Sequence, residues 1–213
     1  ERKALRDRAR SRLAEAGREE AQEREAGLER EVFDYKRRFE QLKGQVERAK
    51  GAYQNLISLK DEGYRAEVAF SHRPLHDLGG DYLDVCDTPA GLDALVADVA
   101  GHDLAASYQT ILVKAFFQEN CQARKEPRRF FELLNRELTD GGANERMVTA
   151  VLMRMHLEAG EAEVITAGHP HIIRLAACDG VARRVPGRGS PLGLTGQVRF
   201  TTTTVPLRPG DRI

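Results

Sequence analysis

From Leu28 onward, apolar side chains recur at Leu28, Val32, Tyr35, Phe39, Leu42, Val46, Ala49, Tyr53 and Leu56, in steps that alternate four and three. That 3.5-residue period keeps a helical stripe aligned only when the helix supercoils around a partner. The intervening positions are rich in Arg, Lys, Glu and Gln, as solvent-facing sites of a coiled coil should be. At ~1.5 Å per residue, a helix of about 55 residues spans roughly 80 Å, more than a small domain can cover. The expected partner is a second copy of the chain, giving a parallel homodimer through residues 28–56. The competing reading packs the stripe on the chain's own globular part. Upstream, Leu5, Leu13 and Ala16 leave the register, and Arg18 and Glu25 stand where core residues would be wanted. Pairing there is expected to be weaker or shifted. No capping residue precedes Arg2, so the chain is expected to follow an upstream sensor or receiver domain.

Beyond residue 60 the composition becomes that of a globular domain. With 33 basic and 33 acidic residues the net formal charge is zero, which gives no general electrostatic pull toward nucleic acid or an acidic membrane. No apolar run is long enough to span a bilayer, and no signal peptide is visible. A cytoplasmic location without membrane contact is expected. Cys86, Cys121 and Cys178 are odd in number and far apart, so they are expected to be reduced thiols rather than disulfides or zinc ligands.

The stretch from Gly79 to His102 reads GGDYLDVCDTPAGLDALVADVAGH. Asp81 and Asp98 each stand at the edge of an apolar, strand-like run. Between the runs lies Asp87-Thr88-Pro89-Ala90-Gly91, whose residue types favour a turn. A hairpin would fold Asp81 beside Asp98. Two carboxylates brought together repel unless a cation joins them, and hard divalent ions take oxygen ligands. The pattern therefore predicts a divalent-metal site.

Around this hairpin, Ala66–His72 reads as a strand ended by Pro74. Asp103 is an N-cap for a helix to about Ala123, with Leu104, Ala105, Tyr108, Ile111, Leu112 and Ala115 expected on its inner face. Pro127 opens a second helix through Phe130, Phe131, Leu134 and Leu138, stopped at Asp140-Gly141-Gly142. Strands are predicted at Met147–Leu157, Ala162–Ala167, Ile172–Ala176 and, as an edge, Val198–Val205. The expected fold class is α+β, a β-sandwich flanked by helices and preceded by a long coiled-coil helix.

Six segments resemble the PPM-type protein phosphatases, in particular their bacterial SpoIIE/RsbU-like branch. They are Gly79-Gly80-Asp81-Tyr82 with Asp84-Val85, then Asp98-Val99-Ala100-Gly101-His102, Val148-Thr149-Ala150, Ala167-Gly168-His169-Pro170, Pro191-Leu192-Gly193-Leu194, and Leu207 with Pro209-Gly210-Asp211-Arg212. They occur in the family's order over about residues 65–213. The resemblance implies two Mn2+ or Mg2+ ions that activate water for in-line attack on phosphoserine or phosphothreonine. It carries metal ligation to Asp81, to Asp98 as the bridging carboxylate, and to the backbone carbonyl of Val99. It divides the chain into a coiled-coil linker at 1–60 and a phosphatase domain at 65–213. By the resemblance that domain is expected to be C-terminally incomplete, because the family's later Asp-Gly metal site would follow Ile213. It also implies a phosphorylated anti-sigma-factor antagonist, a STAS-type protein, as substrate. The helix around Asp103 to Ala123 would be the switch element, driven through the coiled coil.

Asp103 departs from the resemblance, which has glycine there. It could cap the helix or add negative charge near the metals. Asp84 is expected to be structural, and so is His169. His102 is expected to satisfy its turn, with general acid catalysis as the alternative. Two other functions compete: a non-catalytic dimerisation or partner-binding module, and a diguanylate cyclase. The cyclase fits a coiled coil before Gly-Gly-Asp but not the Tyr82-Leu83 that follows.

Overall fold

The computed structural model describes residues 2–58, 63–72, 79–89, 91–123, 125–140 and 146–213, and side chains from residue 24, with residue 26 excepted. The chain divides into two compact units, Glu1–Gly51 and Ala52–Ile213. One helix, α1, runs from Arg2 to Ile57. Five heptad positions of the first unit are open to solvent in the single chain: Leu28, Val32, Tyr35, Phe39 and Leu42 are each more than half exposed.

The second unit is built on an antiparallel sheet. Its strands are β1 (Asp81–Thr88), β2 (Gly91–Val99), β3 (Val148–His156), β4 (Glu161–Ala167) and, last in sequence, β7 (Thr202–Pro206), in spatial order β1-β2-β3-β4-β7. Two helices lie between β2 and β3, α2 (Leu104–Ala123) and α3 (Pro127–Asp140), and a small hairpin of β5 (Ile173–Leu175) and β6 (Ala182–Arg184) forms a second sheet. This is the α+β arrangement of antiparallel sheet and flanking helices that the sequence predicted.

Strand alternation sorts the side chains of the large sheet. Tyr82, Leu95, Ala97, Val99, Val148, Ala150, Leu152 and Ile165 share the core cluster with Val113 and Phe117 of α2 and Phe130, Phe131 and Leu134 of α3. The opposite face carries Val151, Val164 and Val205, which pack with Val185. On the helix side a cross-strand ion pair is buried: Arg154 donates from Nε and Nη2 to Asp93, at 2.9 and 2.7 Å, with Asp93 fully buried.

Three sequence expectations are corrected. Residues 66–72 form no strand and pair with none among the described residues. β-propensity alone gives no ladder without a neighbour. The edge strand expected at Val198–Val205 forms only over Thr202–Pro206, while Phe200 makes an isolated bridge to Gly189. The inner face of α2 was also misassigned. Leu104 and Tyr108 are 58 % and 69 % exposed, and the buried face is Ala106, Ser107, Gln109, Thr110, Val113, Phe117, Asn120 and Cys121. The Thr110 hydroxyl is needed inside because it meets the backbone carbonyls of Gly79 and Gly80. The stops at Pro74 and at Gly141-Gly142 lie outside the described residues.

Candidate functional site

Closing the chain between Thr88 and Gly91 sets the register of the whole β1–β2 ladder, and that register puts Asp81 directly opposite Asp98. Asp98 is in turn paired with Thr149 of β3. Residues paired across antiparallel strands share a face. Asp81, Asp98 and Thr149 therefore form a row on the face away from the helices. Both carboxylates are exposed, and His72 Nε2 lies 3.9 Å from Asp81 Oδ2.

The row continues into the turn after β4. Gly168 bridges to Ala150, which brings His169 beside Thr149, with Nδ1 3.0 Å from the hydroxyl oxygen. Burial holds the imidazole below its ordinary pKa, against the opposing pull of the Asp98 and Asp81 carboxylates. His169, expected to be structural, meets both the backbone and the side chain of Thr149. Thr149 stands in the Val148-Thr149-Ala150 motif, and its place beside Asp98 follows from the β2–β3 register.

The backbone around the two aspartates is tightly packed. Val99 N–H donates to the Gly80 carbonyl at 3.1 Å, and a Cβ built on Gly80 would fall 2.0 Å from the Val99 carbonyl oxygen. Only glycine lets β1 approach that carbonyl so closely. The loop after Val99 is clasped by Arg146, which donates to the Ala100 carbonyl at 2.9 Å and to Asp103 Oδ2 at 2.6 Å. The other carboxylate oxygen of Asp103 accepts from Ala106 N–H at 3.0 Å, the geometry of an N-cap. The Ala106 N–H and the Arg146 guanidinium hold the Asp103 carboxyl below its ordinary pKa. Asp84, on the opposite face of β1 from Asp81, meets Lys114 of α2 at 3.5 Å and accepts from the Tyr82 hydroxyl.

The remaining motif segments fix loops of the domain. Leu192 is fully buried and exchanges two backbone bonds with Val148. Asn135 of α3 holds the same loop through Gly193 N–H and the Thr195 carbonyl, both at 2.9 Å. Asp211 accepts from Ala177 N–H, Arg208 N–H and Arg174 Nη2. The three cysteines are free thiols.

The oxygen set fits a hard divalent cation in kind: two carboxylates side by side, and a carbonyl held at the Gly80 cradle. Among the described residues, no group of three or more His, Cys, Asp or Glu side chains is placed so that it could hold a metal ion.

Residues 88–213 match the family Stage II sporulation protein E (SpoIIE), which is more than half of the chain. The chain belongs to the SpoIIE family. Within the PPM-type phosphatases, its relatives fall in the SpoIIE/RsbU branch. The solved RsbU and RsbW domains of Rv1364c from Mycobacterium tuberculosis are 26 % identical over 62 % of this chain, with a TM-score of 0.56. This chain spans 37 % of that protein. The SiaA PP2C domain of Pseudomonas aeruginosa shares the fold over 81 % of this chain and 70 % of its own, at 16 % identity and a TM-score of 0.65. RsbX, solved in complex with magnesium, covers 63 % of each chain at 18 % identity and a TM-score of 0.53. None of the curated proteins compared with the chain matches it significantly. Among the described residues no helix is long and apolar enough to cross a membrane. Membership of the SpoIIE family leaves the cyclase reading without support.

Proposed function

We propose that this chain is the catalytic part of a bacterial signalling protein, hydrolysing phosphoserine or phosphothreonine with Mn2+ or Mg2+. The observation that carries the reading is the direct opposition of Asp81 and Asp98 in a SpoIIE-family chain. These two carboxylates and the Val99 carbonyl would hold the ions. Such ions supply Lewis acidity, polarising the phosphoryl group and making water a better nucleophile at neutral pH. Among the chain's own groups, Gly80 sets the spacing of the two strands and Thr149 orients His169 beside the carboxylates. The substrate is a phosphorylated anti-sigma-factor antagonist of STAS type. The RsbU and RsbW domains found in one mycobacterial relative support a protein partner in signalling. Mn2+-dependent phosphate release from a phosphoserine STAS protein, falling to background in Asp98→Ala, is the expected result. Full activity in that variant would remove the mechanism.

The division into a linker at 1–60 and a phosphatase domain at 65–213 belongs to the same proposal, with regulation passing through a helical homodimer. The exposed stripe of Leu28, Val32, Phe39 and Leu42 supports pairing, since large apolar side chains in heptad register gain by mutual burial. Sedimentation should give a dimer that Phe39→Glu converts to monomer; an unchanged mass in that variant would refute the seam.

A second reading, a dimerisation module without catalysis, draws on the absence of a third side-chain ligand among the described residues. Calorimetry with Mn2+ separates the two. Two tight sites favour the enzyme, and one weak site or none favours the module.

A further inference from the structure

Among the described side chains of α1, Tyr53 alone is buried, at 4 % exposure. Apolar packing does not account for it fully, because its hydroxyl donates to the carbonyl of Gly79. That carbonyl has a second neighbour. The Thr110 hydroxyl of α2 lies 3.3 Å from Gly79 O and 3.3 Å from Gly80 O, besides 3.0 Å from Ala106 O in its own helix. The Tyr53 hydroxyl also meets the hydroxyls of Thr110 and Ser107. Burial lifts the phenol above its ordinary pKa, so it remains a donor at neutral pH.

What these groups grip is the segment that enters β1. Gly79 is two residues before Asp81. Gly80 accepts from Val99 N–H, and its Cα rests against the Val99 carbonyl. A shift of the Gly79 carbonyl is therefore passed to Asp81 along the chain and to Val99 through one hydrogen bond. No soft loop intervenes to absorb it.

We propose that Tyr53 is a positioning residue of the phosphatase site: its hydroxyl, with that of Thr110, anchors the Gly79-Gly80 segment and so sets the separation of Asp81 from Asp98 and Val99. The proposal rests on the phosphatase reading for its catalytic meaning. The anchoring itself is a property of the fold. It makes the last turn of the coiled-coil helix a component of the site rather than a tether.

Tyr53→Phe tests it, because the ring is kept and only the donor is lost. Three quantities are read on the whole protein: amide hydrogen exchange at Asp81 and Val99 without metal, Mn2+ affinity by calorimetry, and kcat and KM against Mn2+ concentration. Losing one hydrogen bond to the segment that carries Asp81 should weaken Mn2+ binding about 3- to 10-fold. Exchange at Val99 should quicken in the metal-free protein. The kcat should fall at limiting Mn2+ and recover at saturation, with KM for the phosphoprotein unchanged. Thr110→Val removes the second donor, and the double variant should lose more than the product of the single effects, since only it leaves the carbonyl with neither donor. Unchanged exchange at Val99 in Tyr53→Phe would overturn the proposal, as would a lowered unfolding midpoint with unaltered Mn2+ affinity, or strictly multiplicative single effects. If the wild-type protein binds no Mn2+ and releases no phosphate, the phosphatase reading fails by itself, and the exchange measurement still decides the anchoring.

Discussion

Replacing Gly80 by alanine should damage the candidate metal site as well as the fold. The added methyl would start 2.0 Å from the Val99 carbonyl oxygen, 2.9 Å from its carbon and 3.1 Å from the Gly101 carbonyl oxygen. All three are backbone atoms, so no side chain can swing aside. The strands must part by about 1 Å to reach even short van der Waals contact, a displacement of the size that costs ~1–3 kcal/mol in packed interiors. Opening also stretches the 3.1 Å bond from Val99 N–H to Gly80 O, worth about 0.5–1.5 kcal/mol. The expected loss of stability is therefore about 2–4 kcal/mol. The same displacement should reach the metal ligands. Ligand distances for Mg2+ are held near ~2.0–2.1 Å, and Asp81 is the next residue, so its separation from Asp98 and Val99 changes directly. Mn2+ affinity of the folded protein should fall at least about tenfold, or ~1.4 kcal/mol. Gly91→Ala is the control. Its Cβ would fall 1.8 Å from the Met155 carbonyl oxygen, at the turn end of the same hairpin. It should cost comparable stability while leaving Mn2+ affinity alone. Urea unfolding and Mn2+ calorimetry on both variants decide the matter. Wild-type affinity in Gly80→Ala, or an equal loss in Gly91→Ala, would refute the argument from local spacing.

Two further expectations concern the scaffold. Arg154→Met strands the fully buried Asp93 carboxylate, and should cost about 3–5 kcal/mol in urea unfolding, while the paired change Asp93→Leu with Arg154→Met should recover most of it. The carboxyl of Asp211 is held down to about 2 by the Ala177 N–H first, then Arg174 and the Arg208 N–H. A depressed carboxyl stabilises above its ordinary pKa and loses that contribution as pH falls through the folded value. The urea midpoint should thus decline between about pH 4 and pH 2 in the wild type, and more shallowly over the same window in Asp211→Asn; parallel profiles would contradict the assignment.

Much of the β1–β2 hairpin was legible because a turn and two alternating runs constrain one another. With the loop closing between Thr88 and Gly91, the pairing of Asp81 with Asp98 follows by counting. The α2 inner face was not legible by the same means. Hydrophobic periodicity scores side chains against an apolar core, whereas Ser107 and Thr110 are buried to meet backbone, and Thr110 meets carbonyls about thirty residues earlier. Tyr53 shows the converse: its place in the heptad series disguised a residue whose polar end matters. The strand β6 is exposed and rich in Arg, so neither propensity nor burial marked it.

The aspartate at 103 shows how a departure from the expected glycine is accommodated. A carboxylate there would add repulsion to a site already holding Asp98 nearby, unless a cation is supplied from the protein itself. Arg146 supplies it, and the same guanidinium ties the Ala100 carbonyl to the start of β3. Its reach depends on Gly101, where a Cβ would fall 1.9 Å from Arg146 Nη1. The other oxygen of Asp103 is spent on the helix cap. Both oxygens of the extra carboxylate are thus engaged within the loop that follows Val99, and its charge is answered locally. The substitution therefore rigidifies the loop beside the paired aspartates without leaving a third carboxylate uncompensated there, and the acidic character of the candidate site rests with Asp81 and Asp98.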